Sequence, residues 1–364
     1  MAQGSLEALC AGLFMVGFPG RAPAEETKAL IRKGLFGAIL FARNVGSVQE
    51  TAELVRSLKS HAGRPFALAV DQEGGRVARL KGPPFTAVPP MRALGLTGDE
   101  ALARRVGRLL AYEVRSVGFD WDFAPVLDVD TNPKNPVIGD RSFHRDAAVV
   151  ARLGVALGQG MEAEGVASCA KHFPGHGDTA QDSHHELPRL PHDLARLEAV
   201  ELPPFAAWAK AGLSSVMTAH VVFDAVDKGT PATMSAKALG LLRERLGFQG
   251  VLVSDDLEMK AIAAHHSFED AVVRGALAGV DLFLVCREAS LQQQAIEALV
   301  HAVERGVVPR ARLEAAKARL DALARRFVRG PETLEGRLGS AEHLALRSGI
   351  EQQLAEGVDP TERA

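Results

Sequence analysis

Short apolar runs alternate along this chain with longer stretches in which apolar residues recur at helical spacing. The runs predict strands at residues 13–18, 37–41, 66–71, 119–126, 167–172, 215–220, 250–254 and 280–285. Between them, amphipathic patterns predict helices at 25–33, 48–59, 99–117, 147–163, 194–210, 236–246, 268–277 and 291–305. The strand runs are apolar nearly throughout, as in parallel strands covered on both faces. Eight such units point to an α/β fold, a single closed (β/α)8 barrel over residues 1–330. Gly330-Pro331 breaks the pattern and 341–356 reads as one more helix. Residues 331–364 are therefore expected to form a helical extension packed on the barrel, not a second domain.

Composition narrows function more than it narrows fold. With 42 Lys+Arg against 45 Asp+Glu, the formal net charge is −3. That balance lacks the concentrated positive charge of a nucleic-acid binder. No apolar run reaches the roughly 18 residues of a membrane helix. The first basic residue is Arg21, so the amino terminus lacks the charged start of a secretory signal and a cytoplasmic protein is expected. Cys10, Cys169 and Cys286 are widely spaced in apolar surroundings, which reads as buried thiols and not as a disulfide framework. Gly17-Phe18-Pro19-Gly20 after the first run is not the dinucleotide fingerprint, and no cofactor is expected. The carboxyl-terminal stretch shows neither heptads nor an apolar patch, so a monomer is expected.

In a barrel of this kind, chemistry sits at the carboxyl ends of the strands. Polar residues follow five of the eight runs: Asp71-Gln72-Glu73-Gly74-Gly75-Arg76-Val77-Ala78-Arg79, Asp128 with Asp140-Arg141 farther on, Lys171-His172, His220, and Ser254-Asp255-Asp256. Any one of these has an ordinary structural explanation, such as a helix N-cap. Their convergence on one rim is harder to explain that way. The densest segment runs from Lys171 through His172, His176, Asp178, Asp182, His184, His185 and Glu186. Two chemistries compete there. His172, His176, Asp178, Asp182 and His184 offer imidazole and carboxylate ligands to a metal. Alternatively, Asp182 orients His184 as a proton-trading dyad, with Glu186 a second candidate acid.

The motifs Val70-Asp71-Gln72-Glu73-Gly74-Gly75-Arg76-Val77, Phe123-Ala124-Pro125-Val126-Leu127-Asp128, Asn135 through Phe143, Lys171-His172-Phe173-Pro174-Gly175-His176-Gly177 with Asp182-Ser183-His184, and Ser254-Asp255-Asp256 occur in this order. Together they resemble glycoside hydrolase family 3, in particular the short bacterial β-N-acetylglucosaminidases of the NagZ type. The resemblance spans residues from about 17 to 285. It implies Asp255 as the nucleophile that forms a covalent glycosyl-enzyme, and His184, held by Asp182, as acid/base. It further implies Asp71, Arg79, Arg141, Lys171 and His172 as ligands of the sugar hydroxyls and acetamido group, with no metal.

A histidine in place of the usual second carboxylate departs from the common retaining pattern. Its unperturbed pKa near ~6.5 lets it give and take a proton near neutrality. Its neutral base form leaves phosphate open beside water as acceptor, which would make the enzyme a phosphorylase. Many family members carry a further sandwich domain that supplies the acid/base. This chain is short for one, so the Asp182–His184 loop is expected to supply it. The implied substrate is a saccharide, an N-acetylglucosaminyl muropeptide fragment from peptidoglycan recycling. Strand alternation further suggests that only one of Asp255 and Asp256 faces the mouth, and the resemblance favours Asp255.

Overall fold

The computed structural model describes residues 5–180, 187–330 and 338–356. Eight parallel strands close into a barrel: β1 (Phe14–Val16), β2 (Gly37–Leu40), β3 (Ala67–Val70), β4 (Trp121–Asp122), β5 (Ala167–Phe173), β7 (Ser215–Thr218), β9 (Val251–Asp256) and β10 (Leu282–Val285). Two further strands, β6 (Arg189–Leu190) and β8 (Val222–Phe223), pair only with each other. Around the ring the order is β1-β10-β9-β7-β5-β4-β3-β2. Every predicted run coincides with a barrel strand, although β5 and β9 run one and two residues past the predicted ends, because strands buried on both faces need continuous apolar sequence.

The fourth run is shorter as a strand than 119–126 suggested. Pro125 has no N–H to give the ladder, so beyond β4 the pairing with β5 thins to the Cys169 N–H on the Ala124 carbonyl and the bridge Val126 to Lys171. The helix predicted over 194–210 is continuous but changes pitch. A π-turn, Leu197–Glu201, separates Leu194–Arg196 from Leu202–Lys210. Pro203 and Pro204 remove two amide donors at this junction, which favours a local change of hydrogen-bond register. Helices Leu6–Ala11, Met91–Thr97 and Arg310–Phe327 were not foreseen.

Local sequence accounts for the outer ring. Ser47 and Glu50 form a capping box on helix Val48–Ala62, and Asp99 caps helix Glu100–Ser116. The latter buries Leu102, Val106, Leu109 and Leu110 against helix Ala147–Ala163. The two backbones approach so closely that a Cβ on Gly107 would lie 2.1 Å from the Leu157 carbonyl oxygen. At the amino end of β10 the fully buried Asp281 pairs with Arg243, Arg312 and Arg319. These contacts pin helix Arg310–Phe327 beneath the barrel. Helix Ala341–Glu356 lies near Met91–Thr97 and buries Leu346 and Ile350, while His343 Nδ1 sits 3.0 Å from a Glu113 carboxylate oxygen. No helix among the described residues is long and apolar enough to cross a membrane.

Candidate active site

The carboxyl ends of the strands surround a cavity of about 300 Å³, room for roughly one monosaccharide and its surroundings. Asp71, Arg79, Arg141, Lys171, His172 and Asp255 all line it, as do Glu73, His176 and Asp256. Of the sequence-derived candidates, Asp182, His184, His185 and Glu186 lie outside the described residues.

One wall is a chain of alternating charges. Arg79 Nη2 donates to Asp71 at 3.1 Å, and Lys171 Nζ lies 2.9 Å from Asp71 and 2.6 Å from Glu73. Arg141 grips both oxygens of Glu73 at 2.8 Å each. Burial alone would raise the carboxyl pKa values. Lys171 and Arg79 outweigh it at Asp71, and Arg141 and Lys171 outweigh it at Glu73, so both are held below the usual carboxylate range. Burial likewise opposes the charge on Lys171, and Asp71 and Glu73 more than offset that. Three cations and two carboxylates in sequence leave ionised donors and acceptors along the wall without a large net charge. Arg79 Nε is buried with no hydrogen-bond partner among the described residues.

A second layer fixes the strand ends. His172 donates from Nδ1 to Asp128 at 2.7 Å, while the other Asp128 oxygen accepts the main-chain N–H groups of His172 and His176. Burial raises the Asp128 carboxyl, but His172 and His176 bring it below its ordinary value. The loop after β5 is drawn tightly onto the loop after β4. A Cβ on Gly177 would fall 1.8 Å from the Val129 carbonyl oxygen, so only glycine fits there. His176 structures this loop through Thr179 (2.7 Å) and Asn135 (2.8 Å) and also borders the cavity. Burial pushes its imidazole down to about 4.

Sequence reading passed over two acids. Glu73 stands two residues after Asp71, the spacing that puts neighbours on one side of extended backbone, and that was the available signal. Asp122 interrupts an apolar run, is fully buried, and accepts the Gln72 N–H at 2.8 Å. Burial pushes it well above the usual range. Among the described residues no three His, Cys, Asp or Glu side chains form a metal-binding group. Asp178, one of the considered ligands, is instead engaged by Thr131 at 2.7 Å and His192 at 2.8 Å.

The expectation that only one of Asp255 and Asp256 reaches the mouth does not hold, since both line the cavity. The register between β9 and β10 shifts between Leu282 and Leu284, so three residues of β9 oppose two steps of β10. Such an irregularity breaks strict alternation and re-aims side chains. Asp256 does not cap the next helix; its carboxylate accepts the N–H groups of Glu258 (3.1 Å) and Cys286 (3.2 Å), tying β9 to β10. Burial first, then the charges of Glu258 and Asp255, raise its pKa to about 7.

This shift has a stability consequence. Between pH 4 and 7 the folded protein keeps a proton on Asp256 that the unfolded chain has released, so Asp256 lowers stability as pH rises through this window. His176, with its depressed pKa, acts in the opposite sense from pH 6.5 down to 4. Asp256→Asn removes the first contribution alone. The melting temperature of this variant relative to the parent should climb as pH goes from 4 to 7, and a flat difference would refute the buried-acid assignment.

A closed barrel with a monosaccharide-sized pocket, walled by paired charges at its strand ends, presents a site suited to a small polar ligand. Comparison with known proteins makes the class specific. The model for the glycosyl hydrolase family 3 N terminal domain matches residues 5–323. The β-hexosaminidase of Bordetella parapertussis is 40% identical over 296 residues, covering 79% of this chain and 83% of that protein. A family 3 β-N-acetylglucosaminidase from Paenibacillus sp. str. FPU-7 superposes with a TM-score of 0.91 at 39% identity, over 96% of this chain and 68% of its own. NagZ from Neisseria gonorrhoeae, solved in complex with N-trifluoroacetyl-D-glucosamine, gives 0.80 at 33% identity, over 94% and 98% of the two chains. The chain belongs to glycosyl hydrolase family 3 and is a glycoside hydrolase.

Proposed function

We propose that the enzyme is a retaining β-N-acetylglucosaminidase that removes terminal β-linked N-acetylglucosamine from muropeptide fragments during cell-wall recycling in the cytoplasm. The observation that carries this is the opposition of two strand ends across one cavity. β9, with Asp255, and β3, with Asp71, stand four places apart in the ring of eight. A sugar held by Asp71, Arg79, Arg141, Lys171 and His172 would present its anomeric carbon toward Asp255.

In the first step a carboxylate oxygen of Asp255 bonds to the anomeric carbon as the bond to the aglycone oxygen breaks. His184 gives that oxygen its proton. In the second step the neutral imidazole takes a proton from water, whose oxygen displaces Asp255 and frees the sugar with its original anomeric configuration. Asp182 orients the ring and stabilises the imidazolium. The hydroxyls and acetamido group meet ionised partners, whose hydrogen bonds are stronger than those between neutral groups. The β-N-acetylglucosaminidase and hexosaminidase relatives support the acetamido sugar as substrate.

Protein dialysed against a chelator should release nitrophenol from 4-nitrophenyl N-acetyl-β-glucosaminide and far less from the glucoside. Activity restored only by added metal would overturn the metal-free mechanism, and sugar phosphate formed on adding inorganic phosphate would replace water as acceptor. His184→Ala should cost turnover about 10²–10⁴-fold on poor leaving groups and much less on dinitrophenyl glycosides, which need little proton assistance. Equal losses on both would remove His184 from the acid role.

A further inference from the structure

His220 ends the β7 run and is not among the sugar ligands or the proton-transfer pair. It is buried, with 1% of its surface exposed. Its Nε2 lies 3.0 Å from the main-chain carbonyl oxygen of Asp256, and its Nδ1 lies 2.8 Å from Thr233 Oγ1. A carbonyl only accepts, so Nε2–H donates to Asp256, and in the neutral ring Nδ1 accepts from the Thr233 hydroxyl. Thr233 Oγ1 is also 2.8 Å from Thr218 Oγ1 and 3.2 Å from the Ala219 carbonyl oxygen; with its one proton on the shorter contact to Nδ1, it accepts from the Thr218 hydroxyl, which completes the line. The main-chain N–H of Asp256 in turn donates to Asp255 Oδ1 at 2.8 Å.

We propose that His220 is a positioning residue for the reacting carboxylate of Asp255, acting through the main chain of Asp256, whose carbonyl it holds and whose N–H orients the Asp255 side chain. Such a clamp is needed at this point of the barrel. Asp255 and Asp256 fall where the β9–β10 register shifts, so the ladder reaches them out of step: Asp256 pairs with Leu284, and the Leu257 N–H donates to the Leu284 carbonyl at 3.0 Å. Thr218 stands on β7 and Thr233 on the 3₁₀ turn Ala232–Met234. The line therefore anchors the end of β9 to its neighbour in the ring through side chains. The tautomer is set by the line itself: a histidine with its proton on Nδ1 would turn a lone pair toward the Asp256 carbonyl.

The proposal rests on Asp255 being the nucleophile, and its test separates the two. A 5-fluoro N-acetylglucosaminyl fluoride accumulates the glycosyl-enzyme, and peptide mapping locates the modified residue independently of His220. Label on Asp255 upholds the nucleophile; label elsewhere overturns that assignment and this proposal with it. In His220→Ala, kcat and the labelling rate should fall together by about 10²-fold, the penalty of a nucleophile displaced by about 1 Å. Affinity for free N-acetylglucosamine, which contacts the opposite wall, should stay within about twofold of the parent. His220→Gln, able to present an amide N–H to the same carbonyl, should recover part of the labelling rate. If His220→Ala does not fold, Thr233→Val carries the test: it is nearly isosteric, leaves Nδ1 without its donor, and should slow labelling without weakening sugar binding. Labelling at the parental rate in either folded variant, or a loss matched by equally weakened sugar binding, would overturn the positioning role.

Discussion

Asp255→Ala should reduce turnover by at least about 10⁴-fold, the scale on which removal of a covalent nucleophile is felt, while leaving the melting temperature near that of the parent. The fold has little stake in this side chain. Asp255 is only partly buried at the end of β9, beyond the apolar residues Val251, Leu252 and Val253 that hold the strand in the core. The neighbouring Asp256 differs, being committed to the N–H groups of Glu258 and Cys286. Asp256→Asn keeps an oxygen that can accept those N–H groups and should retain substantial activity. Steady-state rates and thermal melts on both variants check the assignment. Turnover by Asp255→Ala within about tenfold of the parent, or collapse only in Asp256→Asn, would move the nucleophile to another residue.

Glu73→Gln should be the most damaging single change in the sugar-binding wall. Glu73 is 2% exposed and takes ion-pair contacts from Arg141 and Lys171; Lys171 also pairs with Asp71, whereas Glu73 is the wall carboxylate that Arg141 grips. Loss of its charge leaves two buried cations facing one another across a neutral amide. Removing one member of a buried pair costs about 3–5 kcal/mol, and the freed side chains would no longer hold their places around the cavity. Denaturant titration should show this loss together with a large fall in kcat/KM. The double variant Glu73→Gln with Lys171→Met should recover part of the stability, because the uncompensated ammonium is gone, but not the activity. A single variant within about 1 kcal/mol of the parent would show that the wall is not held by this charge sequence.

Much of this was legible before any coordinates. The barrel strands announced themselves because strands buried on both faces demand unbroken apolar sequence, and the residues at their ends had to meet on one rim. Asp71, Arg79, Arg141, Lys171, His172 and Asp255 do line one cavity. Pairings across long sequence separations were not legible. Nothing local says that Asp128 holds His172, 44 positions away, or that His220 reaches Asp256, 36 positions away. The shared placement of Asp255 and Asp256 was also hidden, since it depends on a register shift between strands that single-strand alternation ignores. Strands β6 and β8, two residues each, are too short for any periodicity to register.

The configuration of the first sugar released tests the two-step mechanism most directly. Proton NMR recorded within the first minutes of hydrolysis of an aryl N-acetyl-β-glucosaminide separates the two anomers before mutarotation mixes them. Displacement by Asp255 followed by displacement by water predicts the β-anomer as the initial product, with the α-anomer growing in only as mutarotation proceeds. Initial release of the α-anomer would contradict a covalent glycosyl-enzyme and with it the role assigned to Asp255.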